Sequence, residues 1–239
     1  MNGINQAKQA IRHRVWSRLE AAGVVEPGVA GSIPNFFGAD QAGGQLAALP
    51  VWADAMVIKV VPDWAQLPVR TSALEDGKLV YMAAPKLVTE RPFYVLNPAL
   101  LSLSASQAAL PEVAARIAST VDVSQMRPVD LVVVGSVAVN GHGARLGKGA
   151  GYADLEVGLL VAAGLITPAT TIATTVHELQ VLNEDLPELP HDFRVDLIAT
   201  PDRIIWCDCP RRPDGIDWQA LRPEQIAAIP VLARLAEAM

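Results

Sequence analysis

The chain lacks several things that would commit it to a particular biochemistry. Only two of its 239 residues are cysteine, Cys207 and Cys209 in "WCDCP". A single intervening residue suits neither a structural disulfide nor, without further ligands, a zinc knuckle, so two reduced thiols near a strand end are expected. An excess of positive charge is missing too. The 19 Lys and Arg stand against 25 Asp and Glu, a net charge of −6 that argues against a broad nucleic-acid footprint. Although 51% of the residues are hydrophobic, no uninterrupted apolar run approaches the roughly 20 residues of a membrane span. The opening "MNGINQAKQAIRHRVW" carries basic residues but no apolar stretch of the secretory kind, so a soluble protein of the cytoplasm is the expectation. There is no HExxH, no serine elbow and no nucleophilic Cys–His arrangement, which leaves hydrolases of those kinds without support. Internal repeats and low-complexity linkers are absent as well.

What is there is a succession of amphipathic helices and apolar strands. Residues 5–22 contain no proline or glycine and set Ile11, Val15 and Leu19 four residues apart, the pattern of a helix ending at Gly23. Lys8 and Arg12 lie one turn apart on a neighbouring face, where they either point at a common site or form a solvated basic face. Residues 26–50 read as a loop region with one short helix near 42–49. Strands are expected at 55–61 and 78–84 with helical residues between them, a βαβ unit. A helix around 111–119 precedes "VDLVVVGSVAV", 129–139, the most apolar strand in the chain and suited to the centre of a sheet. "TTIATTV", "VDLIAT" and "RIIWC" supply further strands, and a last helix falls within 223–238.

The expected fold is therefore α/β, a Rossmann-like single domain of three α/β/α layers around a mostly parallel or mixed central sheet. Residues 1–206 carry the domain, and 207–239 form an extension with one helix packed against it, in which Arg211 and Arg212 are expected to be solvated.

The stretch "ARLGKGAGYADLE", 144–156, stands apart. Gly147, Gly149 and Gly151 alternate through a turn from strand to helix, where an open α/β sheet places its ligand crevice and where backbone N–H groups can converge on an anion. Arg145 adds a guanidinium fork and Lys148 a point charge, both complementary to phosphate. The P-loop is excluded because Lys148 is followed by Gly149, and the dinucleotide fingerprint because the glycines run GxGxG. Asp154 is placed either to hold Mg²⁺ against a bound triphosphate or merely to stabilise a helix start.

"GARLGKGAGYAD" resembles the signature of the 5-formyltetrahydrofolate cyclo-ligase family, in which Arg-Leu-Gly leads into a glycine-rich turn and a Tyr-Tyr-Asp. The resemblance covers roughly residues 8–206. It takes in Lys8 and Arg12 on the first helix, the Gly77-Lys78 pair before an apolar strand, and then Gln180, Pro187, the His191-Asp192 pair and "VDLIATP". In its GKGxGYADLE and TTVHxxQV segments the chain resembles the branch called methenyltetrahydrofolate synthase domain-containing proteins.

In that family the formyl oxygen of 5-formyltetrahydrofolate takes the γ-phosphoryl of ATP, and N10 then closes the ring to give 5,10-methenyltetrahydrofolate and phosphate. Such chemistry asks a protein mainly for alignment and charge neutralisation. The resemblance implies ATP and Mg²⁺ as cofactors and a reduced folate as substrate, with neither nucleic acid nor membrane as partner. It further implies that Lys8, Arg12, Arg145 and Lys148 clamp phosphates, that the backbone of Gly147, Lys148, Gly149, Ala150, Gly151 and Tyr152 cradles them, and that Asp154 positions the metal. Arg145, Lys148 and Tyr152 would act on the reacting groups, and Tyr152 would also meet the folate. Ala153 replaces the family's second tyrosine and removes an aromatic face there. Asp63 falls where many members carry a pterin-contacting glutamate, and a plain helix N-cap explains it equally well. His191 and Asp192 would hold a turn; His13 and His142 have no partner apparent in the sequence. A diverged nucleotide- or folate-binding relative without turnover is the competing reading.

Overall fold

The computed structural model describes residues 2–238. In chain order its strands are β1 (Val57–Val60), β2 (Leu79–Ala83), β3 (Phe93–Leu96), β4 (Ser119–Val121), β5 (Leu131–Val134), β6 (Ala138–Asn140), β7 (Arg145–Leu146), β8 (Thr171–Thr175), β9 (Val181–Leu182), β10 (Leu197–Ala199) and β11 (Ile204–Trp206). The helices are α1 (Asn2–Ala21), α2 (Ala39–Ala47), α3 (Pro50–Asp54), α4 (Leu67–Glu75), α5 (Ala105–Ala108), α6 (Pro111–Ile117), α7 (Tyr152–Ala162), α8 (Pro223–Ala228) and α9 (Pro230–Glu237).

Eight strands form one sheet in the order β11-β10-β8-β5-β1-β2-β3-β4. The five from β10 to β2 are parallel, and β11, β3 and β4 extend the edges antiparallel. Alternation decides which residues meet which helices. Val57, Val132, Val134, Ile172 and Ile198 face α7 and the C-terminal helices. Ile58, Val60, Leu131, Val133 and Ala173 face α2 to α6. Both faces are covered, which is why the central strands are mostly apolar, with Lys59 on β1 and the buried threonines of β8 as exceptions, and why the three-layer α/β/α expectation holds.

Several details depart from expectation. The stretch 129–139 is not one strand. Gly135 interrupts it where any Cβ would meet Ile33 Cγ2 at 2.9 Å. Beyond it the chain leaves the large sheet, with Gln180 Nε2 donating to the carbonyls of Ser136 (2.8 Å) and Val137 (3.2 Å). The chain then joins a second sheet of order β7-β6-β9. The last helix is two, because Pro230 has no N–H to donate and pushes Ile229 into an extended conformation (φ −117°, ψ 102°). The edge strands β3 and β4 and the short β9 escaped the sequence reading.

Arg211 and Arg212 are tied to the domain rather than simply solvated, although the Arg211 side chain stays 37% exposed. Arg211 donates to the carbonyls of Leu189 (3.0 Å) and Asp192 (2.8 Å), while Arg212 donates to those of Arg194 (3.0 Å) and Thr170 (3.2 Å) and pairs with Asp196. Backbone carbonyls left over at turn ends outcompete water for these guanidinium groups, and they strap residues 211–212 onto the domain.

Candidate active site

A cleft of about 630 Å³ opens where β1, β2 and β5 end, lined by Val61–Asp63, Ala83–Lys86 and Gly135 that follow them. This is the carboxyl edge of the parallel sheet, where strands diverge into separate loops and leave room for a ligand. The loop after β7 and the first residues of α7 form one wall, α1 another, and residues 189–192 a third.

Lys8 and Arg12 enter from α1. With Val15 and Leu19 they make a single stripe at spacings of four, three and four residues, and all four are buried. The cations thus continue the apolar face inward, and the solvated-face alternative falls away. Lys8 forms a buried ion pair with Asp192. Arg12 has no carboxylate within bonding reach among the described residues; its Nε donates to the carbonyl of Gly147 at 2.7 Å and its Nη1 to Gln9 Oε1 at 3.2 Å. Burial, and then the neighbouring charge of Arg145, lowers the Arg12 pKa below the usual guanidinium value, with Asp192 and Asp154 opposing.

Arg145 lies beneath the glycine turn. It is 4% exposed, donates to Asp154 Oδ1 at 3.2 Å and to the carbonyl of Gly135 at 3.3 Å, and sits 4.6 Å over the Phe193 ring. A Cβ on Gly147 would meet its Nη2 at 2.6 Å, so a side chain here would displace the tip of the arginine packed behind it. Gly149 (φ 103°) and Gly151 (φ 77°) hold left-handed turns that bring the chain onto the N-terminus of α7. Gly151 has no side chain to cap that helix, which leaves its first turn, part of the cleft lining, without a side-chain cap.

Asp154 stands in this first turn. Burial raises its carboxyl above the ordinary carboxylate range, and the nearby Arg145 charge opposes that shift. Lys148, half exposed, reaches across to Asp63 Oδ1 at 2.9 Å. Asp63 makes no side-chain cap to the helical turn it precedes, so the N-cap explanation is not the one realised. Tyr152, Ala153 and Ala150 line the cleft as well.

The sequence reading missed several groups here, Lys86 at the cleft wall among them. Asp192 does hold its turn, accepting from Leu189 N at 2.5 Å, but it also neutralises Lys8 at the cleft wall. His191, beside it, lies 3.3 Å from Asp217. Lys59 on β1 is fully buried and paired with Glu156, which lines the cleft from α7. A lysine inside "MVIKVV" was the available signal, because a buried ammonium requires a buried carboxylate. His13 and His142 do have partners, Gln9 at 3.1 Å and Asp208 at 2.9 Å. His177 caps a short turn, accepting from Leu179 N at 3.1 Å.

Fold and site together define an open α/β protein with a charged crevice at the carboxyl edge of its parallel strands and a glycine turn leading into a helix. Residues 4–201 match the sequence profile of the 5-formyltetrahydrofolate cyclo-ligase family, and the chain belongs to that family. It is 39% identical over 238 residues to the mouse methenyltetrahydrofolate synthase domain-containing protein, a match covering 97% of this chain and 63% of the mouse protein. The zebrafish and human proteins of that name are 36% and 35% identical, matched over 63% and 62% of their lengths. The chain thus spans under two thirds of these relatives. A solved structure of Aquifex aeolicus 5,10-methenyltetrahydrofolate synthetase superimposes with a TM-score of 0.54 at 19% identity, covering 88% of this chain and 98% of that one, a likeness of fold. No helix among the described residues is long and apolar enough to cross a membrane.

Proposed function

We propose that the cleft binds Mg-ATP and 5-formyltetrahydrofolate and that the chain converts the latter to 5,10-methenyltetrahydrofolate. The observation that carries this reading is the convergence of Lys8, Arg12, Arg145 and Lys148 with the uncapped start of α7 at one crevice.

The residues present suit the ligands. Five cations (Lys8, Arg12, Lys86, Arg145, Lys148) face four carboxylates (Asp63, Asp154, Glu156, Asp192) along the lining, a balance of +1 that favours a polyanion accompanied by a dication. Arg145 occupies only Oδ1 of Asp154. The other oxygen accepts no hydrogen bond from the described residues, which suits Mg²⁺ held by one carboxylate, phosphate oxygens and water. Mg-ATP, when bound, supplies an activated phosphoryl group to the formyl oxygen.

The protein's own part is placement. Lys8 and Arg12 project charge from α1, and the N–H groups at the start of α7 face the phosphates. Lys148, held at the cleft mouth by Asp63, is free to exchange that partner for phosphate. Arg145, pinned beneath the turn, contributes its charge through the loop and orients Asp154. Tyr152 offers the folate a ring and a hydroxyl.

The reading is tested by mixing the purified chain with Mg-ATP and 5-formyltetrahydrofolate and following the methenyl product by absorbance. Product formation that falls with Arg12→Gln supports it. A second reading, a ligand-binding relative without turnover, is favoured by Ala153, which lines the cleft where the resemblance implies a second tyrosine. Thermal stabilisation by Mg-ATP with no product at high protein concentration would establish that alternative.

A further inference from the structure

One cluster outside the cleft lining combines an imidazole, a carboxylate and a thiol. His142 sits in the turn between β6 and β7, Asp208 and Cys209 follow β11, and one donor atom from each lies within 4.8 Å of the other two. His142 Nδ1 and Asp208 Oδ1 are already 2.9 Å apart, across 66 residues of sequence.

Both supporting segments are held by the domain. Asn140 Oδ1 accepts from the N–H groups of His142 (3.2 Å) and Ala144 (3.1 Å), and its Nδ2 donates to the Glu184 carbonyl at 3.1 Å. Cys207 N donates to the Asp196 carbonyl at 2.8 Å and Val195 N to that of Gly143 at 2.9 Å. The two segments are pressed together at Gly143, where any Cβ would meet Cys207 Cβ at 3.2 Å. The histidine and the Asp-Cys pair are therefore presented to solvent side by side, next to backbone that the fold holds at Gly143 and Cys207.

We propose that His142, Asp208 and Cys209 form a surface site for a thiophilic divalent cation of the zinc class, with a fourth position left to water or an external ligand. Around tetrahedral zinc, with bonds of about 2.0–2.3 Å, donor atoms stand roughly 3.3–3.8 Å apart. Small side-chain rotations bring these three to that spacing. Nitrogen and sulfur donors select against Mg²⁺ and Ca²⁺, which take oxygen cages.

Arg194, which faces Cys209, is neutralised by Glu188 at 2.6 Å and does not bar a cation. Cys207 is a different thiol. It is partly buried, and burial pushes its pKa up to about 12, so it serves as an internal control.

Titration of the full chain with Co²⁺ tests the site. The expected result is one equivalent bound with thiolate-to-cobalt charge-transfer absorption and tetrahedral d–d bands, displaced by Zn²⁺ and not by excess Mg²⁺. Cys209→Ser and His142→Ala abolish that absorption, and Cys207→Ser leaves it unchanged. His142 and Cys209 are exposed while Cys207 packs against the core, so a thermal melt of each variant checks the fold. No charge-transfer band, a band that follows Cys207 instead of Cys209, or displacement by Mg²⁺ overturns the proposal.

Discussion

Lys59 and Glu156 are the sharpest place to perturb the molecule. Lys59 lies in the middle of the large sheet with no exposed side-chain surface, and the Glu156 side chain is 8% exposed. Each ion has been taken out of water, and each finds its compensation in the other. Removing one partner strands the other charge, at a cost of about 3–5 kcal/mol. For a chain of this size each kcal/mol corresponds to roughly 2–4 °C in Tm, so Lys59→Met or Glu156→Leu lowers Tm by about 6–20 °C. The double variant Lys59→Met/Glu156→Leu strands nothing, and replacing a buried pair with apolar groups of similar volume is close to neutral. It recovers most of the loss, with a coupling of about 3 kcal/mol or more in a double-mutant cycle. Urea unfolding of the four proteins measures this. Single variants that cost under about 1 kcal/mol, or a double variant whose cost equals the sum of the singles, would refute a mutually dependent buried pair. Because Glu156 lines the cleft one turn after Tyr152, the double variant also separates folding from ligand binding. It is expected to fold and to lose part of the stabilisation by Mg-ATP.

Gly147→Ala puts a methyl group against a pinned guanidinium; we expect about 1 kcal/mol of destabilisation, since the tip of Arg145 can yield, and a larger loss of Mg-ATP-induced thermal shift. An unchanged ligand shift would separate Arg145 from the ligand site. The Asp154 carboxyl is raised by burial, so between the ordinary carboxylate value and its own the native state holds a proton that the unfolded chain has released. Its contribution to stability therefore falls as pH rises through that window. Asp154→Asn removes this slope, and a wild-type-minus-variant stability that is flat or rises with pH would contradict it. Arg211→Ala releases the Leu189 and Asp192 carbonyls and costs about 1 kcal/mol, with a weaker Mg-ATP shift through the Asp192–Lys8 pair. Equal ligand shifts in calorimetry would show that this wall is rigid without it. Ala153→Tyr is expected to tighten 5-formyltetrahydrofolate binding while leaving the nucleotide shift unchanged, checked by titrating each ligand separately.

Much of the site was legible because its chemistry is concentrated in a short, unusual string. Alternating glycines, two cations and a carboxylate between strand and helix marked residues 144–156, and the lysine and arginine one turn apart on α1 marked the opposite wall. Their functional reasons were less legible. Gly147 reads as room for a phosphate, whereas the packing shows a close approach by Arg145. Arg211 and Arg212 read as surface charge, yet they bond carbonyls more than fifteen residues away in sequence. Asp192 reads as a turn former, and nothing local to it announces Lys8.

The sequence by itself determined the succession of the central apolar strands and main helices, the three layers and the location of the glycine turn, because those depend on periodicity and on residues adjacent in the chain. The tertiary structure alone decided that 129–139 divides between two sheets, that Lys59 meets Glu156 and Lys8 meets Asp192, and that His142, Asp208 and Cys209 converge. Charge pairing inside a fold depends on which distant groups are desolvated together, and that is settled only when the layers close.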